Sequence, residues 1–443
     1  MRAEQLHTIT DDVLRTQVCV VGAGVVGRVV ARELATRGVT VLVVEHNQTP
    51  SAPTEFAVTS TDFDVTTRPW VSRAGWPIPA QTIAAYSARA LSYLGLAPPP
   101  TPESVGAALC PIAGQVTAAN PVDLPDVRIV DATAIHLDTD ATGAHVYALE
   151  LSGLGGRRCL VEAKVFVLAM GAIETPRLLL ASRRTLPSGV GNRYDQVGRY
   201  LQDRRHGVVA RLSPAAAAAA FTEFRNGTPG FALSATVQRD ERLLGCAMWF
   251  REAAKRGSMK VALDRLLRGK ASASDVSIIG GGATGWAWRT AGLPRLGGVD
   301  VHAVVEQAPD FDSRVRLSDN ETDAFHVPVA EIDPDDRQLA TLRRALDLLT
   351  DEFARRDWPA PNIDPTPTLT AVNEPTGTTR MSTNPRDGVV DGQCRVHGVD
   401  NLYIAGPSVF PTTGHADPTL AAVALAIRLA DTIAARMAAT RLG

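Results

Sequence analysis

The sequence predicts an α/β fold: a Rossmann-like nucleotide-binding domain assembled from separate stretches of the chain, joined to an α+β domain built on an antiparallel sheet. Three observations carry this. The apolar run Val18–Val21 ends in GAGVVG, and a helix-spaced stretch and a second apolar run, Val39–Val44, follow it, which is one strand–turn–helix–strand unit. Short alternating runs between Asp126 and Val165 read as a meander of strands feeding back into that sheet. Near the C-terminus the chain returns to a strand, NLYIAG, and then to a helix, Leu420 to Met437, whose apolar spacing suits packing on a sheet.

Between these anchors the texture changes. From His46 to about Asp64 Pro, Thr, Ser and Asn dominate without a period, which reads as loop. A helical pattern returns from Ile83 to Leu94. The middle third, about Arg205 to Thr370, is irregular and reads as a separate lid or substrate domain. It holds an alanine run (Ala215 to Ala220), a glycine cluster (Gly280 to Gly282) and an amphipathic helix near Leu339 to Arg356. The expected organisation is a nucleotide domain over 14–60, 122–205 and 372–443, a connecting or lid segment over 61–121, and a substrate domain over 206–371.

Composition narrows the function. With 45% hydrophobic and 21% charged residues and a net charge of −2 over 443 residues, the composition argues against a general nucleic-acid-binding surface and leaves room for a local basic site. The opening MRAEQLHTITDD has no apolar core of signal-peptide length, and no stretch has the roughly 18–20 apolar residues of a membrane span, so a cytoplasmic protein is expected. Five scattered cysteines and nine histidines without ligand spacing suggest neither disulfides nor a metal site. The basic stretch Lys255 to Lys270 reads as a solvated helix face or a contact for an anionic partner. Trp249, Phe250, Trp286 and Trp288 line a pocket or belong to the core. Oligomeric state stays open.

The glycines explain the first motif. Gly22 suits a tight turn, Gly24 lets backbone approach a pyrophosphate, and Gly27 permits close helix–strand packing. The following helix offers free N–H groups to phosphate, and Glu45, ending the second strand, is placed to bind a ribose diol. The same fingerprint serves NAD and FAD.

Further along, VFVLAMGAIETPRLLLAS (Val165 to Ser182), DQVGRYLQDR (Asp195 to Arg204), VVEQAPDFDSRVRLS (Val304 to Ser318), RAGWPIPAQTIAAYSARA (Arg73 to Ala90) and the run from Glu374 to Leu420 occur in one order. They resemble, in turn, a GAxxTPRLLL element, a VGRYLxxH element, a substrate-domain entry, an SGWPI helix start and the closing signature of the glucose–methanol–choline (GMC) oxidoreductase family. The resemblance covers the whole chain and implies FAD as cofactor and a small-molecule substrate. It assigns Gly22, Gly24, Gly27 and Glu45 to the ADP half of FAD, and Ser408 with Asp417, Pro418 and Thr419 to the region near the flavin ring. Ser408 reads equally as a turn residue without a ligand.

Two departures from the family pattern matter. Glu45 and Gly75 are thirty residues apart, and HNQTPSAPTEFAVTSTDFD lacks glycine, so the family's GGxSxxW segment along the flavin is missing. Glu374 and Asp417 stand where the family places a His and a His or Asn. Such a carboxylate pair in a partly buried site shares a proton, with one pKa raised. Alternatively, Glu374 caps a turn and pairs with Arg380 or another cation. His415 supplies the missing imidazole or is a surface turn residue. Two activities follow: oxidation of a hydroxyl group, with Glu374 or His415 as base, or a redox-neutral cyclase or isomerase reaction of natural-product biosynthesis, in which Glu374 and Asp417 move protons.

Overall fold

The computed structural model describes residues 3–46, 55–58, 68–96, 108–118, 122–124, 126–223, 228–252, 298–318, 328–332 and 336–442. Two eight-stranded sheets organise it. The first is drawn from distant parts of the sequence. Glu4–Gln5, Arg128–Asp131, Val41–Glu45, Val13–Val21 and Arg158–Leu168 lie side by side in that order, all parallel. Arg158–Leu168 is long enough to serve two partners. Its first half pairs antiparallel with Val146–Ser152, which continues to Thr133–Thr139, and its last three residues pair parallel with Leu402–Ile404. The nucleotide-binding domain is therefore discontinuous in sequence, as expected.

This sheet is buried on both faces, so its central strands are apolar along their length instead of alternating. Val18, Cys19, Val20 and Val21 are all sealed, as are Val43, Phe166, Val167 and Leu168. The helix Val25–Ala35 covers one face and packs against the C-terminal helix Thr419–Leu442, whose Val423, Ala424, Ile427 and Ala430 are buried. Each valine or isoleucine among them contributes about 1.5–3 kcal/mol by leaving water, and each alanine less.

The expected helix over Ile83–Leu94 is two helices, Ala80–Ala84 and Ser87–Leu94. The ladder breaks at Tyr86 (φ −101°, ψ −3°), and the second piece ends at Gly95 in the left-handed conformation. Glu33, 7% exposed, ties these layers together by accepting hydrogen bonds from Arg37, Arg89 and Tyr93.

In the second sheet every pairing among the described residues is antiparallel, in the order Asn362–Ile363, Arg205–Leu212, Val299–Val305, Cys246–Glu252, Thr228–Leu233, Leu109–Ala118 and Glu55–Val58. Two readings of the sequence change here. Leu109–Ala118, placed in the connecting segment, is a strand of this sheet, and Glu55–Val58, read as loop, pairs with it at the edge. The alternation of Phe56 and Val58 is too short to stand out among its Pro, Thr and Ser neighbours. The amphipathic helix is Asp336–Arg355, and it seats Leu342, Leu346, Leu349 and Phe353 against Phe250 and Phe231. Trp249 and Phe250 are thus core. Gly280 to Gly282, Trp286, Trp288 and the basic stretch Lys255 to Lys270 lie outside the described residues. No helix among the described residues is long and apolar enough to cross a membrane.

Candidate active site

At the C-terminal ends of the parallel strands lies a cavity of about 710 Å³. Its lining includes Gly22, Gly24, Glu45, Gly171, Gly406, Pro418 and Thr419. The glycine turn is built as its chemistry requires. Gly22 has φ +105°, and a Cβ there would lie 2.5 Å from the Ala169 carbonyl oxygen. A Cβ on Gly27 would lie 2.0 Å from the Gly22 carbonyl oxygen, so this position sets the helix against the turn and does not face the cavity. Glu45 fixes the turn by accepting the Ala23 N–H, and its other oxygen accepts from His46 N–H at 3.0 Å.

The cavity fits the cofactor that the motif implies. Gly24 is the N-cap of Val25–Ala35, is extended (φ −63°, ψ 175°) and makes no side-chain cap, so the first N–H groups of the helix remain for a phosphate. A Cβ on Gly24 or on Gly406 would meet nothing within 4 Å, which leaves backbone bare toward open space. Pro418, Thr419 and Ala422 bring a second helix start to the same cavity. Ser408 is elsewhere. It sits in the short turn Pro407–Val409, is fully buried, and its hydroxyl accepts from Thr379 Oγ1 at 2.8 Å.

Beyond Pro418 lies a cluster of charge. Asp417 Oδ1 accepts the Thr419 N–H at 2.8 Å, capping the C-terminal helix. Glu374 lies near Asp417 and is ion-paired with Arg204 Nη2. Burial, the neighbouring Asp417 charge and Asp203 raise the Glu374 carboxyl to about 7 against the opposing pull of Arg204. Asp203 clamps the approach to Glu374 by accepting N–H from Asn373 at 2.9 Å and from Glu374 at 3.3 Å. Burial holds the Asp203 carboxyl above its ordinary range.

Arg380, the cation named in the sequence reading, is not the partner of Glu374. It is buried over the Tyr200 ring, 4.5 Å from its centroid, and donates to the Arg73 carbonyl. Burial depresses its guanidinium to about 10.

His415 lies in a bend and is partly exposed, with its ring turned inward. Its Nδ1 is sealed without a hydrogen-bond partner, its carbonyl accepts from Arg204 Nη1 at 3.2 Å, and burial lowers its imidazole to about 4, so the ring is neutral at pH 7. The structure thus brings Glu374, Asp417 and the His415 backbone together around Arg204. Motif reading had not singled out Arg204. Its signal was present: it is the last residue of VGRYLQDR, where the corresponding element VGRYLxxH has His.

Fold and cavity define an FAD-binding enzyme fold of the Rossmann type with an appended antiparallel domain. Residues 309–426 match the GMC oxidoreductase family and residues 15–58 an FAD-binding domain. In its C-terminal part the chain thus carries the GMC oxidoreductase pattern, in divergent form. The large subunit of fructose dehydrogenase from Gluconobacter japonicus is 29% identical over 73% of this chain and 58% of its own length. The 6'''-hydroxyparomomycin C oxidase of Streptomyces lividus is 29% identical over 70% of this chain and 52% of its own. The chain thus spans about half the length of these relatives. Among solved structures, pyridoxine 4-oxidase from Mesorbium loti superposes with a TM-score of 0.55 at 16% identity, covering 94% of this chain and 99% of that one. A formate oxidase gives 0.54 at 18% identity, covering 96% and 99%. At such identities the likeness is one of fold.

Proposed function

We propose that this protein is an FAD-dependent oxidoreductase that converts a hydroxyl group of a polar small molecule to a carbonyl, with Glu374 accepting the hydroxyl proton. The carrying observation is the Arg204–Glu374 ion pair beside Asp417, at the start of the helix whose Pro418 and Thr419 line the cofactor cavity, where burial and Asp417 raise the Glu374 carboxyl to about 7. A base titrating near the working pH is both available and strong enough to take a proton. Gly22, Gly24 and Glu45 would hold the ADP half of FAD, and Pro418 and Thr419 would border its ring end. FAD, when bound, supplies a two-electron acceptor for the hydride leaving the same carbon.

The remaining work belongs to the chain. Arg204 holds Glu374 by an ion pair, and the helix start keeps the neighbouring Asp417 in place. The relatives named for fructose and for 6'''-hydroxyparomomycin C support a polyhydroxylated substrate.

One observation favours a second reading. Asp417 places a carboxylate on the helix N-terminus that borders the cavity, where an added electron pair would meet negative charge. A redox-neutral cyclase or isomerase of natural-product biosynthesis would use Glu374 and Asp417 as acid and base without that cost. Anaerobic mixing of the flavin-loaded protein with a panel of sugars and aminoglycosides separates the two. Bleaching of the flavin with formation of a product two hydrogens lighter supports oxidation; a product of unchanged mass over unbleached flavin overturns it.

A further inference from the structure

Glu306, which follows the strand Val299–Val305, is fully buried and has every acceptor position of its carboxylate in use. Oε1 accepts from Arg68 Nη2 at 2.5 Å and from Gly414 N–H at 3.2 Å. Oε2 accepts from Arg68 Nη1 at 2.6 Å and from Gly245 N–H at 2.8 Å. Four donors on two oxygens is an arrangement that only an ionised carboxylate supplies; an acid or an amide would set a donor against a donor. Burial pushes this carboxyl up, but the Arg68 charge and its hydrogen bonds, with the Gly245 N–H, outweigh burial and keep it below the ordinary range.

The geometry points to Glu306 as a positioning residue for the Glu374–Asp417 pair: it pins the front of the Gly414–Asp417 loop to the second sheet so that Asp417 meets Glu374. This rests on the reading of that pair as the proton-transferring group. The loop is held at three places. Glu306 takes the Gly414 N–H at its front, Arg204 takes the His415 carbonyl in the middle, and the helix start takes Asp417 at the rear.

Glu306 gathers two further segments onto the same point, Arg68 ahead of the GWPI stretch and Gly245 at the entry of the strand Cys246–Glu252. The packing leaves no slack. A Cβ on Gly245 would lie 3.0 Å from His415 Nδ1 and 3.1 Å from Glu306 Oε2. The main charges acting on Glu374 are Asp417, Arg204 and Asp203, so Glu306 governs the pair through the loop.

The test is carboxyl titration by NMR of flavin-loaded protein carrying [δ-13C]glutamate, the Glu374 signal being the one lost in Glu374→Gln. The wild-type midpoint is expected at about 7, and in Glu306→Gln it falls toward the ordinary 4.5, because a released loop separates and hydrates the pair. Glu306→Asp, which keeps the charge on a shorter arm, is expected between the two. Should Glu306→Gln not fold, Gly245→Ala crowds His415 and Glu306 from outside and is expected to move the midpoint the same way. A folded variant of either kind that retains flavin and leaves the Glu374 midpoint unmoved overturns the positioning role. Failure of the underlying reading looks different: Glu374→Gln would then turn over at the wild-type rate.

Discussion

Arg204 ion-pairs with Glu374 across 170 positions of sequence, and the same guanidinium holds the His415 carbonyl. One buried cation therefore sets both the charge of the candidate base and the path of the loop that carries its partner. Removing the base should separate the two effects. Glu374→Gln keeps the size of the side chain and loses the titration; turnover is expected to fall by about 10²- to 10⁴-fold, the usual contribution of a positioned acid–base group, with flavin content unchanged. Steady-state rates at matched flavin occupancy check this, and a variant at full rate removes Glu374 from the mechanism.

Arg204→Met tests the cation. Arg204 opposes the rise of the Glu374 carboxyl, so without it Glu374 titrates above about 7. The alkaline-active limb of the pH–rate profile is expected to move to higher pH, and the rate at pH 7 to fall as the base form becomes scarcer. A limb that stays in place would mean that Arg204 does not act on the titrating group.

How much of this was legible in the sequence follows from the range over which each feature is built. Gly22, Gly24 and Gly27 act within one turn and Glu45 at the next strand end, so a local pattern specifies the glycine-turn side of the cavity, while Thr133, Gly171, Gly406 and Thr419 join it from distant stretches. Glu374 and Asp417 were visible as substitutions in a recognisable run. Their setting was not, because Arg204, and the Arg68–Glu306 pair that spans 238 positions, come together only when the second sheet folds beside the first. Ser408 is close in sequence to the ring-end segment and agrees with its turn reading: its hydroxyl accepts from Thr379 inside the core. The strand Glu55–Val58 was hidden because edge pairing needs few apolar residues.

Stability should carry the same signature. The Glu374 carboxyl is raised from 4.5 to about 7 in the folded protein, so between those values the native state binds the extra proton. Its contribution is fully present below 4.5 and is lost as pH rises through 7. Glu374→Gln cannot titrate; the melting temperature of the wild type relative to this variant is therefore expected to decline from pH 4.5 to pH 7.5. Parallel melting curves across that range would show that Glu374 titrates alike in both states.

The glycine turn offers a way to separate binding from folding. Gly22→Ala is expected to destabilise the protein itself, since its φ of +105° is unsuited to a side chain and its Cβ would stand 2.5 Å from a carbonyl oxygen that belongs to a neighbouring strand end. Gly24→Val should behave differently. The backbone at Gly24 is extended at φ −63°, which any residue adopts, and a Cβ there meets nothing within 4 Å, so the flavin-free protein should lose less stability than in Gly22→Ala, the cost being that of a valine at an N-cap. The new side chain would project into the cavity where a pyrophosphate needs bare backbone, and the FAD dissociation constant is expected to rise by about 10-fold or more, as a lost charge-assisted hydrogen bond would require. Flavin fluorescence titration of the stripped protein measures this. Undiminished affinity in Gly24→Val would place the phosphates elsewhere, and with them the ring end that the Glu374–Asp417 pair is taken to face.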